Sequence, residues 1–130
     1  IEVCMFHIAL GTADHPSSQL LDRLVAAAAR GVAVRVLLDR DRPTDPYNST
    51  VVNTRAKNFL AANGVPVKFD SEERLLHSKF VVVDGRTVVV GSHNWSIGSF
   101  FEFDDVSLAI ASATLAQEFT GRFDLLWQGS

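Results

Sequence analysis

Apolar and polar positions along the chain change period several times, and each change marks an element. Residues 1–10, IEVCMFHIAL, are apolar on both sides of an imperfect alternation, which predicts a strand buried in a sheet. A loop over 11–15 leads to Pro16, well placed as the first residue of a helix. Leu20, Leu21, Leu24, Val25 and Ala28 then recur at helical spacing until Gly31 stops them. The run 32–38, VAVRVLL, predicts a strand ending at Asp39. Residues 39–49, DRDRPTDPYNS, carry two prolines and no period, so they predict a surface loop; its Arg40, Arg42 and Tyr47 are candidates to line a cleft. Asn48 or Ser49 caps a second helix with Val52, Ala56, Phe59 and Leu60 on one face. Asn63-Gly64 closes it, and a strand follows over 65–69.

A charged connection over 70–74 then gives way to the strongest local signal in the chain. Two β-rich runs, 77–83 and a return strand to about 92, flank Asp84-Gly85, a pair suited to the positive φ angles of a tight hairpin turn. The segment IGSFFEFDD predicts a loop. Its Phe100, Phe101 and Phe103 would form a substrate or dimer surface if exposed, and a lid over the site edge if buried. A strand over 106–111 follows, and Ser112 caps a last helix carrying Leu115, Phe119, Phe123 and Leu126 inward. The order β-α-β-α-β-β-β-β-α predicts an α/β fold, a mixed β-sheet flanked by helices on its faces, in a single domain over 1–130. The units Gly31 to Arg35 and Gly64 to Lys68 resemble one another and predict one helix-to-strand packing used twice.

Composition narrows the setting. At 130 residues, 47% hydrophobic and 21% charged, the chain is ordinary for a soluble globular protein, and no apolar run approaches the ~18 residues of a membrane span. A net charge of −3 argues against a broad basic face but leaves room for a local basic cleft. The one cysteine, Cys4, excludes an internal disulfide and sits among core residues. Scattered histidines give no metal-ligand spacing, so no metal and no cofactor is expected. The start at Ile1 suits a mature product or an excised domain. Localisation stays open, with a soluble, cytoplasmic setting slightly favoured.

Chemistry concentrates in HSKFVVVDGRTVVVGSHNWS, residues 77–96. Strand alternation puts His77 and Lys79 on one face, with Ser78, Phe80 and Val82 on the other. Asp84 has the opposite parity and braces the turn. An imidazole, an ammonium, a hydroxyl and a carboxamide thus converge where the first strand begins and the second ends. That set suits a phosphate: Lys79 as positive charge, Ser92 and Asn94 as neutral donors, His77 as nucleophile or proton shuttle. A buried hairpin with an incidental His and Lys is the competing explanation.

The pattern HxKxxxxD followed by GSxN resembles that of the phospholipase D superfamily, in one complete copy, and the likeness extends over nearly the whole chain. The resemblance implies a phospholipase D-like fold and phosphodiester cleavage by two histidines without metal, through a phosphohistidine. It implies catalytic roles for His77, Lys79 and Asn94, phosphate binding by Lys79, Ser92 and Asn94, and structural roles for Asp84 and Gly91. The family usually places a Glu near the strand after GSxN to orient the nucleophile. Asp105 matches here, one methylene shorter, with Asp104 and Glu102 as rivals. One imidazole cannot be nucleophile and acid at once, so a homodimer pairing two copies of His77 is expected. His7, read as a core histidine satisfied by backbone, is the one intramolecular rival; His15 lies in a loop, and His93 should point away from Ser92 and Asn94. The leading substrate is nucleic acid, as for a small endonuclease. The alternatives are a phospholipid hydrolase or transphosphatidylase, and a non-catalytic dimerisation or nucleic-acid-binding module of a larger protein.

Overall fold

The computed structural model describes residues 1–44 and 47–130; Asp45 and Pro46 of the 39–49 loop lie outside the described residues. The elements are β1 (Glu2–Met5), α1 (Pro16–Ala29), β2 (Arg35–Leu38), α2 (Ser49–Ala62), β3 (Val67–Phe69), β4 (Lys79–Val83), β5 (Thr87–Gly91), a π-helical turn (Gly98–Glu102), β6 (Ser107–Ala111) and α3 (Ala113–Gln128). They form one six-stranded mixed sheet in the order β3-β2-β1-β4-β5-β6. β1, β2 and β3 run parallel, while β4 runs antiparallel to β1 and opens the antiparallel half completed by β5 and β6.

Alternation along the strands builds two cores. Val3, Met5, Val36 and Leu38 face α1 and α2, where Leu21, Leu24, Ala56 and Leu60 meet them. Cys4, Leu37, Phe80, Val82 and Val88 face α3, where Ala116 and Phe123 close the layer. Phe123 is fully buried, so truncation to Ala should cost about 3–5 kcal/mol. Burial pushes the Cys4 thiol up to about 12, so it stays protonated at neutral pH.

The repeated helix-to-strand unit has a common geometry. Gly31 and Gly64 take left-handed φ angles of 87° and 74° after α1 and α2. Val32 N–H then bonds Ala27 C=O at 3.1 Å, and Val65 N–H bonds Leu60 C=O at 3.0 Å, the wrap that closes a helix before a parallel strand. The cap of α2 differs from the expected one. Asn48 is left-handed (φ 54°) and its side chain caps nothing. Asp41 does so from a distance: Oδ1 accepts from Ser49 N–H at 2.7 Å and Oδ2 from Thr50 N–H at 3.1 Å. A carboxylate at a helix start meets unpaired N–H groups and the positive dipole end, which no local pattern announced.

Several strands are shorter than their apolar runs. β1 ends at Met5 because the chain then turns across the sheet top, where Ile8 makes an isolated parallel bridge with Trp95. Asn53 of α2, wholly buried, pins that turn: it accepts from Ile8 N–H at 2.8 Å and donates to Phe6 C=O at 2.8 Å and Asp39 C=O at 3.0 Å. β4 begins at Lys79, so His77 stands just outside the ladder, and β5 ends at Gly91 rather than Ser92. Asp84 and Gly85 take φ angles of 55° and 59°, the turn that matches strand twist. The segment expected to be a plain loop contains the π-helical turn, with Phe103 N–H bonded to Gly98 C=O at 2.8 Å.

Candidate active site

The site lies where β1 ends, β4 begins and β5 ends, the three central strands of the sheet. Lys79 is 9% exposed. Its Nζ donates to His77 C=O at 2.6 Å and stands 5.1 Å from the Phe6 ring centroid. Among the described residues it has no carboxylate within 4 Å. Burial holds its pKa below the usual lysine range, opposed by Asp105 and Asp39. A desolvated ammonium satisfied by one carbonyl and one ring face retains capacity for an anion.

His77 is exposed, its ring 4.9 Å from that of Phe6. Desolvation, then the Lys79 charge, lowers its pKa from 6.5, while Asp39 pulls the other way. The imidazole is therefore mostly neutral at pH 7, as a nucleophile requires. Asp39 is wholly buried at the end of β2, and its Oδ1 accepts from Leu76 N–H at 2.8 Å, fixing the residue before His77. The sequence offered no sign of this beyond a polar residue closing an apolar run.

Asn94, Ser92 and Asp105 form one network. Asn94 Oδ1 accepts from His7 N–H at 3.3 Å, and Asn94 N–H donates to Ser99 Oγ at 3.1 Å. Ser92 Oγ accepts from Val106 N–H at 3.0 Å. Hydrogen bonds from Ser92 and Ser99 hold the Asp105 carboxyl below the usual range, and His93 and Lys79 add to this. Glu102 and Asp104 are exposed, whereas Asp105 is half-buried and bonded to Ser92 and Ser99, so the carboxylate within reach of the motif is that of Asp105. Ser99 was not singled out in the sequence; it is the buried residue through which the π-helical turn joins Asn94 to Asp105.

Two motif residues stand apart from this chemistry. Gly91 is required by space: a Cβ there would lie 2.1 Å from Val106 C=O and 2.4 Å from Ser107 Oγ. Asp84 sits in the hairpin turn at the far end of β4, about 17 Å of strand from Lys79.

The other imidazoles fall around the rim. His7 stacks on Phe6 at 3.8 Å, and Tyr47 packs edge-on against the same ring at 5.8 Å. Contrary to expectation, no backbone group satisfies His7 Nε2, which is buried without a partner among the described residues. Burial, Lys79 and His77 lower its pKa, against Asp41. His93 Nδ1 pairs with Ser107 Oγ at 2.8 Å. His15 caps α1, its Nδ1 accepting from Ser17 N–H at 3.2 Å. Of the loop cations, Arg40 pairs with Glu72 at 3.4 Å. Phe100 is half-buried against the first core, whereas Phe101 and Phe103 are largely exposed. No group of three His, Cys, Asp or Glu among the described residues could hold a metal ion. No helix among them is long and apolar enough to cross a membrane.

A mixed sheet presenting His-x-Lys beside Gly-Ser-x-Asn at its top defines a phospholipase D-like domain. The family model described as "Cardiolipin synthase, PLD-like domain" matches residues 1–127, and the chain belongs to that family. Mitochondrial cardiolipin hydrolase of Xenopus laevis is 30% identical over 128 residues, which is 98% of this chain but 54% of that protein. Cardiolipin synthase A of Serratia proteamaculans is 35% identical over 98 residues, 73% of this chain and 19% of that protein. The chain thus spans about half, or less, of these relatives. Among solved structures, the phospholipase D family member Nuc of Salmonella typhimurium superposes with a TM-score of 0.77 at 26% identity, covering 98% of this chain and 78% of that one.

Proposed function

We propose that this chain is a metal-independent phosphodiesterase in which His77 is the nucleophile. The observation that carries this reading is the buried ammonium of Lys79, with no carboxylate within 4 Å among the described residues, two residues after an imidazole whose pKa is lowered. His77 attacks phosphorus as the bond to the leaving oxygen breaks, and an acid delivers a proton to that oxygen. Water then attacks the phosphohistidine, gives a proton to the same group, and restores His77 as the P–N bond breaks. Lys79 and Asn94 take up charge on the phosphoryl oxygens, and Ser92 and Asp105 hold the loop bearing Asn94.

The acid is His77 of a second copy. The substrate's negative charge between two imidazoles favours protonating one of them, which divides their roles. A bare half-face of the sheet supports a partner. On the α1 side, Val81 and Val83 are half-buried, and Val89, Ala109 and Ala111 are exposed. Register pairs Val81 with Val89 and Val89 with Ala109, so all three share that face. Beside them a cavity of about 480 Å³ runs from Leu20 and Leu24 of α1 to Lys79 and His93. Apolar area of this kind, continuous with the site, suits a second copy.

Nucleic acid is the leading substrate, because Arg122 and Arg74 line the ground beside His77 on the α3 side, although Asp70, Glu73 and Glu118 line it too. Phospholipid is the second reading, favoured by the family description and by relatives named for cardiolipin. Turnover of bis(p-nitrophenyl) phosphate in excess EDTA, with DNA, RNA and phospholipid compared on the same preparation, tests the proposal. Loss on His77→Ala supports it. Activity that chelation abolishes and Mg²⁺ restores contradicts it, and complete inactivity of a folded protein leaves the non-catalytic module.

A further inference from the structure

Two openings meet at Lys79, and they differ in chemistry. The one on the α1 side is the mainly apolar cavity beside Val81, Val83 and Val89, where Arg23 of α1 is the one guanidinium in the lining. The one on the α3 side, about 380 Å³, is lined by His77, Ser78, Glu118 and Arg122. It adjoins a third cavity of about 270 Å³ that shares Ser78 and Arg122 and reaches Asp70 and Arg74. A path therefore leaves the nucleophile past one guanidinium toward another.

Arg122 is set on this path by packing. Phe119, one turn earlier on α3, packs edge-on against Phe80 with ring centroids 5.0 Å apart, which fixes the helix beside the strand that begins at Lys79. Among the described residues Arg122 has no ion pair within 4 Å. Its charge opposes from a distance the burial that raises the pKa values of Asp70 and Cys4, a purely structural use that the experiment must separate.

We propose that Arg122 is a second-phosphate subsite, so that the site selects substrates whose reacting phosphodiester is followed by another phosphate. This rests on reading His77 and Lys79 as the place of the reacting phosphate. A planar guanidinium suits the task, since its paired N–H groups match two phosphate oxygens. Successive phosphates of a nucleic acid are joined through an O–C–C–C–O link across C5′, C4′ and C3′ of the sugar. The phosphates of cardiolipin are joined by the same O–C–C–C–O link through their central glycerol. One guanidinium at one distance from Lys79 would serve both, whereas phosphatidylglycerol and dinucleoside monophosphates lack the second group. Glu118, one turn before Arg122 and in the same cavity, opposes a second phosphate and sets the preference below its maximum.

The test compares binding of thymidine 3′,5′-bisphosphate and thymidine 5′-monophosphate by calorimetry, beside hydrolysis of paired substrates. Wild type should bind the bisphosphate about tenfold more tightly, in line with one charge-assisted contact at a partly exposed site. R122A should bring the ratio near one without changing melting temperature, and E118Q should widen it. In hydrolysis, preference for a trinucleotide over a dinucleoside monophosphate assigns a nucleic-acid strand. Preference for cardiolipin over phosphatidylglycerol assigns the lipid. Equal affinities in wild type, or R122A weakening both ligands by one factor, would overturn the subsite. Bisphosphate preference without hydrolysis would sink the catalytic reading and leave the subsite standing; hydrolysis without preference would do the reverse.

Discussion

Lys79 shows how function and stability oppose each other within one residue. Its folded pKa lies below 10.5, so the charged form is disfavoured by folding, and at pH 7 that charge is a cost. Lys79→Met should keep or raise the melting temperature while reducing kcat at least a hundredfold; a destabilised variant with substantial activity would contradict this. His77 carries the pH dependence. Its folded pKa is below 6.5, so its stabilising contribution is present above 6.5 and is lost as pH falls toward the folded value. The acid limb of kcat/KM should accordingly lie below pH 6.5. Asp105 and Glu102 offer a direct contrast. Asp105→Asn should lower turnover with little change in melting temperature, because the network through Ser92 and Ser99 loses its charge facing Lys79, while Glu102→Gln should be silent. The reverse pattern would place the acidic role at Glu102. At this scale the sequence was legible where chemistry is local: Lys79 opens β4, His77 stands just before it, and Ser92 and Asn94 follow the end of β5. Asp39 and Asn53 were not, because each acts on residues distant along the chain, and Ser99 was not, because the π-helical turn that aims it at Asn94 left no periodic mark.

Among the elements, the hairpin was the most readable because its information is local. Asp84 and Gly85 adopt the positive φ angles their types favour, and no side-chain bond is needed to explain their presence. Asp84→Asn should therefore be tolerated, since Asn accepts the same conformation, whereas Asp84→Val should lower the melting temperature by several degrees at unchanged kcat in the surviving fold. Gly91 makes the opposite demand, because its φ is unexceptional and only space excludes a Cβ. Gly91→Ala should push β5 from β6 and reduce both stability and turnover. Element ends were less legible. β1 is far shorter than its apolar run because Phe6 and Ile8 are buried by Asn53 and Trp95 outside the ladder, and apolar content alone does not separate a paired strand from a buried turn. The cap of α2 escaped notice for the same reason: Asp41 reaches it across a loop.

For the molecule, the layered architecture followed from the order of elements, since parallel strands need helical crossovers and the last helix has one free face to cover. What the pattern could not reveal was which half of each face stays bare. Val89 and Ala109 fall in predicted strands, yet among the described residues no helix covers them and both are exposed. On the proposed mechanism that bare ground would tie assembly to catalysis, because a copy seated there would bring a second imidazole to a site that has one His77. The decisive measurement is the activity of wild type and His77→Ala mixed at constant total concentration and allowed to exchange subunits. If each composite site needs both copies of His77, total activity should fall as the square of the wild-type fraction. Activity falling in simple proportion to that fraction would mean that one chain is sufficient, and the shared site would be wrong.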